Sequence, residues 1–228
     1  MWKRQDFWKN HIQVAERMIS AGRLSEAADE LRTALKFARK TKSLKRELET
    51  LLIISVVQLQ SNSQSLSATT QRALEICEKY FGADSGYTAR ALLMRSCVKE
   101  ICLTSEADVM IERAAKLFRE QGELDSLVHR LDYLVYSQIL ANNFKHALAT
   151  VERGLKYSRE CYGETSSQVE LMFHLYADLM MKLGKEHELR RALHKNFPEL
   201  MMQFALEHPD AHIFADRSPN SASTPRGS

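Results

Sequence analysis

Small residues recur in this chain at a spacing too regular for unrelated helices. Ala27 and Ala34 stand seven residues apart, and the pair returns as Ala107 and Ala114, then as Ala147 and Gly154. One column runs Ala34, Ala73, Ala114, Gly154 and Asn196, at offsets of 39, 41, 40 and 42 residues. A second column at the same offsets, Val14, Ile53, Met94, Leu134 and Tyr176, is apolar or aromatic throughout. Seven residues are two helical turns, so each small pair lies on one face and lets another helix approach closely. The first unit, AERMISAGRLSEAADELRTA, adds Ala15 and places Gly22 between two apolar-periodic stretches, where a left-handed turn residue is needed. A chain of 228 residues so patterned is restricted to stacked helical hairpins that bury their apolar faces against neighbouring units.

Taken in order, the pattern predicts an all-α solenoid of about five helix pairs over residues 1–196. Residues 7–21 and 24–40 form the first pair, with Ser25 starting its second helix. The second spans 44–80 and is the least regular, since Leu66 occupies a small-residue place within SNSQSLSATT. LTSEADVMIERAAKLF and NNFKHALATVERGLKYSRECYG carry the second helices of the third and fourth pairs. The fifth repeats Ala177 and Gly184 but then places Leu189 and Asn196 where small residues stand elsewhere. Eight glycines and four prolines, three of the prolines within the last 20 residues, leave long helices and short connections. Pro198 and Pro209 bracket an amphipathic stretch, giving a capping helix at 197–208. Residues 209–228 form a disordered Ser/Pro-rich tail in which Ser218 and Thr224 precede prolines and suit phosphorylation.

This arrangement resembles the tetratricopeptide (TPR) repeat, a helix-turn-helix with small residues at the places held here by Ala15, Gly22, Ala27 and Ala34. The junctions EKYFGADSGYTARALL and RECYGETSSQVELMF are similar to those of kinesin light chains, whose repeats are also lengthened. The resemblance implies a non-enzymatic scaffold or adaptor that holds a peptide or helix of another protein in the concave groove lined by the first helix of each pair. The groove positions of the motif fall on Lys9, Ile12 and Glu16, on Leu51 and Ser55, on Leu92, Ser96 and Lys99, on His129, Asp132 and Tyr136, and on His174 and Asp178. Apolar residues mixed with isolated charges suit a segment with hydrophobic anchors. Ile12 and Glu16 replace the Lys and Asn with which chaperone-binding TPRs clamp a carboxylate, and LLMRSC and FHLYAD lack the front-helix asparagines of kinesin light chains.

Charge supplies a different function class. Residues 1–46 hold 12 Lys and Arg against five Asp and Glu, most of the excess within Lys36, Arg39, Lys40, Lys42, Lys45 and Arg46. Such a cluster suits an acidic peptide, nucleic acid or anionic lipid, or else a solvated helix end. Nucleic-acid binding through 36–46 is therefore one alternative, and a purely structural subunit of a larger complex another. Cys77, Cys97, Cys102 and Cys161 form no C-x-x-C and stand in apolar patterns, as reduced core cysteines do. Eight histidines make no H-E-x-x-H, and the glycines form no phosphate loop or nucleophile elbow. No catalytic, cofactor or metal site is expected. With no run of 18 apolar residues and a polar start, the chain is expected in the cytoplasm, with the nucleus as the alternative.

Overall fold

The computed structural model describes residues 3–196, with side chains described over 7–193. Ten α-helices follow one another: α1 (Lys3–Ser20), α2 (Leu24–Lys40), α3 (Leu44–Gln60), α4 (Leu66–Ile76), α5 (Gly86–Ser96), α6 (Ser105–Gln121), α7 (Leu124–Leu140), α8 (Phe144–Tyr162), α9 (Ser167–Lys182) and α10 (Glu186–Asn196). A π turn, Cys77–Phe81, extends α4, and no strand occurs among the described residues. The expected cap at 197–208 and tail at 209–228, with Ser218 and Thr224, lie outside the described residues.

Each helix packs against the one before and the one after it, so five pairs stack in sequence. The small-residue columns are the contact line: Ala15, Ala27, Ala34, Ala73, Ala114, Ala147 and Ala177 are all fully buried. Gly154 shows why the column tolerates so little. A Cβ at that position would stand 2.8 Å from Met172 Sδ, so α8 and α9 touch where even a methyl group crowds its neighbour. Larger side chains fill the layers between, among them Leu31, Leu48, Ile111, Phe118, Leu131 and Phe173, none of them exposed.

The turns follow from helix-end chemistry. Gly22 and Gly184 take positive φ of 72° and 66°, and Asn62 and Asn142 do the same at 51° and 55°. Each such residue is followed by an N–H that reaches back over the helix end: Arg23 to the Met18 carbonyl, Ser63 to Gln58, Asn143 to Gln138 and Lys185 to Met180. This is the left-handed closure that satisfies terminal carbonyls. Its tightness corrects one expectation. α2 begins at Leu24 with Arg23 as its cap, and no side chain caps it. Ser25 lies exposed inside the first turn, because the chain re-enters a helix directly after the closure. Arg23 pairs there with Glu26 instead.

Junctions between pairs alternate in kind. α2 to α3 and α6 to α7 use the same closure, with Lys42 at φ 53° and Gly122 at 70°. α4 to α5 and α8 to α9 instead pass through Gly82 and Gly163, at φ 88° and 81° with extended ψ. Three residues later, Ser85 and Ser166 cap the next helix by accepting the N–H of Thr88 and Val169.

The third pair departs from the regular repeat. α5 has 11 residues where α3 and α7 have 17. Beyond Ser96 the chain leaves the helix yet keeps Cys97, Val98, Ile101 and Cys102 buried. Leu66, the large residue in a small place, packs there against Val98, Ile101 and Ala107. The irregular segment makes room for it.

Candidate docking face on the front helices

The odd-numbered helices carry twelve of the thirteen groove positions, and the structure divides those positions sharply. Ile12, Leu51, Ser55, Leu92 and Ser96 are buried. α5 is packed against α3, α4, α6 and α7 at once, so its groove positions meet protein on every side. The hydroxyls of Ser55 and Ser96 bond to carbonyls of their own helices, Leu51 at 2.8 Å and Leu93 at 2.7 Å. These five residues contribute packing and offer no surface to a partner.

The others remain accessible. Lys9 and Glu16 are exposed on α1, His129 and Tyr136 on α7, and Asp178 on α9. Asp132 and His174 are half-buried. Lys99 is exposed, but on the irregular segment after α5 rather than on a helix. His129 Nε2 lies 3.2 Å from the Tyr162 hydroxyl, which ties α7 to the end of α8. Asp132 Oδ1 is sequestered without a partner, and burial pushes its carboxyl up from the ordinary value, partly opposed by nearby His129. His174 approaches Glu170 on its own helix at 4.0 Å.

The shortening of α5 opens a notch of 740 Å³ where the front helices end. Gln58 and Leu59 from α3, Lys99 and Leu103 from the irregular segment, and Ser137 and Leu140 from α7 line it. Gln138 Nε2 donates to the Cys102 carbonyl at 3.0 Å and holds the irregular segment onto α7. Gln58 Oε1 is buried here without a hydrogen-bond partner. Leu140 is 58% exposed and Tyr136, one turn before it, 57%. Together they are a large apolar pair on a helix whose remaining apolar residues are covered. Lys99 and Leu140 line the notch and Tyr136 stands exposed beside it; Leu140, at the end of LVYSQIL, is not among the thirteen motif positions.

All four cysteines are free thiols, and burial pushes Cys77 up to about 11 and Cys97 up to about 12, so neither supplies a thiolate near neutral pH. Among the described residues no cluster of His, Cys, Asp and Glu is placed to hold a metal ion. Nor is any described helix long and apolar enough to cross a membrane.

Stacked helix pairs with buried small residues and left-handed closures give the chain a TPR-like α-solenoid fold. No protein-family model matches its sequence, and no curated protein does. Solved structures do match in shape. A variant form of a Podosopora anserina protein named after kinesin light chain, built of nearly identical TPR-like repeats, superposes with a TM-score of 0.62. It is 12% identical, and the match covers 89% of this chain and 96% of that one. Another structure of such a Podosopora anserina protein gives 0.59 at 13% identity, over 92% and 97% of the two chains.

Proposed function

We propose that this chain is a non-enzymatic adaptor that holds a short peptide or helix of another protein on its front-helix face. The docking region is α7 and the notch beside it, with Tyr136 and Leu140 as apolar anchors. His129, Asp132 and Lys99 act as polar contacts around them, and His174 and Asp178 extend the surface along α9. One observation carries this reading: Leu140 lines the 740 Å³ notch and Tyr136 stands one turn before it, each more than half exposed. Exposed apolar anchors around a concave site are how peptide grooves gain affinity. Four free thiols support a reducing compartment, the cytoplasm.

A photo-cross-linking residue at position 140 tests this, with position 109 as control, because Val109 is 67% exposed but lies on α6. Cross-linking in cells from 140, lost on Tyr136→Ala in folded protein, is the expected outcome. Equal yields from 140 and 109 would overturn the proposal.

A further inference from the structure

The even-numbered helices carry a second feature that the front-face reading leaves unused. Between α6 and α8 the outer seam is closed by ion pairs: Arg153 to Asp108 at 2.7 Å and Glu112 at 3.6 Å, and Arg119 to Glu160 at 2.8 Å. Between α2 and α4, among the described residues, no ion pair joins the two helices directly; Arg39 and Arg72 meet only through Glu47 of α3. A slot of 370 Å³ opens there, floored by Leu35, Ile54 and Val57 and walled by Arg32, Arg39 and Arg72. No carboxylate lines it.

Asp29, Glu47 and Glu75 equal the three arginines in number, and the excess positive charge of this face comes from Lys36 and Lys40. Glu47, buried below, receives Arg39 Nε at 3.2 Å and Arg72 Nε at 3.7 Å, which fixes both guanidinium groups at the rim. Asp29 and Glu75 pair with Arg32 and Arg72 as neighbours one turn away on the same helix, all of them well exposed. Exposed pairs of that kind contribute little and exchange readily for a better carboxylate. From Arg32 to Lys40 the sequence has four cations and no acid, and Lys36 and Lys40 are exposed beside the slot. Part of the basic cluster is meanwhile spent inside the fold: the Arg46 guanidinium lies 5.8 Å from the Trp8 ring and 6.0 Å from that of Phe37.

An apolar floor between cationic walls selects a ligand with both properties. We propose that the α2–α4 slot is a second docking site, and that it takes an acidic amphipathic helix of a partner protein. Leucine-sized side chains spaced three and four residues apart enter between Leu35 and Ile54, while carboxylates on either flank meet Arg32, Arg39 and Arg72. A flat polyanion would reach the arginines but leave the floor uncovered. The charge complementarity and the apolar floor thus favour a protein helix over a nucleic acid.

The test uses the full chain and a fluorescein-labelled 18-residue peptide with leucines at i, i+3, i+4 and i+7 and glutamates elsewhere, read by anisotropy. Two further peptides replace every glutamate by lysine, or every leucine by serine. The acidic amphipathic peptide should bind, and each of the others at least tenfold more weakly. Ala68→Trp fills the slot from an exposed position on its wall and should weaken binding at least tenfold, as should Arg32→Glu. Leu140→Ser, which disables the front-face site, should leave this binding unchanged. That keeps failure of one site distinguishable from failure of the other. Absence of binding at millimolar peptide, equal binding of the lysine peptide, or indifference to Ala68→Trp would each overturn the proposal. So would tighter binding of a 20-base-pair duplex or of phosphatidylserine vesicles, or self-association of the chain that Ala68→Trp abolishes.

Discussion

Replacing Gly154 by alanine sets two effects of opposite sign against each other. In a helix interior alanine is favoured over glycine by about 1 kcal/mol. The new Cβ, however, would lie 2.8 Å from Met172 Sδ, 3.3 Å from its Cε and 3.6 Å from its Cγ. Met172 is itself fully buried, so its Sδ and Cε must shift within the core to admit the methyl group. Crowding of that kind costs about 1–3 kcal/mol, so Gly154→Ala should be between neutral and about 2 kcal/mol destabilising. Met172→Ala alone costs about 2–5 kcal/mol, but it empties the space the methyl group needs. Gly154→Ala in that background should therefore recover about 1 kcal/mol. The sign reversal corresponds to a coupling of about 1–3 kcal/mol between the two positions. Urea unfolding followed by far-UV circular dichroism at constant m-value measures all four corners of the cycle. In thermal melts, 1 kcal/mol corresponds to roughly 2–4 °C for a chain of this length. A Gly154→Ala protein a full 1 kcal/mol more stable than its parent, with Met172 in place, would refute the close approach of α8 and α9.

Other outcomes follow from features away from that contact. Ser85→Ala and Ser166→Ala should each cost about 1 kcal/mol through a lost helix cap. Ser25→Ala should stay within about 0.5 kcal/mol, and urea midpoints for the three variants decide the matter. The thiols of Cys97 and Cys77 are raised in the fold from an ordinary 9.0, so their contribution is complete below pH 9 and is lost as pH climbs through 9 toward 12. At one pH unit above 9 the loss is roughly 1.4 kcal/mol for fully buried Cys97. The urea midpoint should fall between pH 8 and pH 10, and by less in Cys97→Ala. An unchanged midpoint would mean that the thiol is hydrated.

The helix pairs and their small-residue contact line were legible because both are local. Ala27, Ala34, Ala107, Ala114 and Ala147 sit on faces that the sequence spacing defines, and Gly22 and Gly184 stand where a left-handed residue is required. The face a partner could touch was legible only in part, because exposure depends on what the neighbouring units do. Leu92 and Ser96 hold groove positions by count, yet α5 is wedged among four helices and both are covered. Leu51 and Ser55 share that fate. The end of α5 at Ser96 has no glycine or proline to announce it, since Cys97, Val98, Ile101 and Cys102 continue the apolar pattern without continuing the helix. The notch, and with it the exposure of Leu140 at its edge, follows from that hidden break. Ser25 misled for a simpler reason: a good capping residue is unused when the turn before it has already closed the helix end.

The two serine-capped bends give the molecule a coarser grain than its helix pairs suggest. Gly82 and Gly163, like Ser85 and Ser166, lie 81 residues apart. A piece can therefore be excised or duplicated seamlessly only in blocks of four helices. Deleting residues 85–165 would bring Asp84 directly onto Ser166 and regenerate a native-type bend, whereas removing a single pair would join one style of connection to the other.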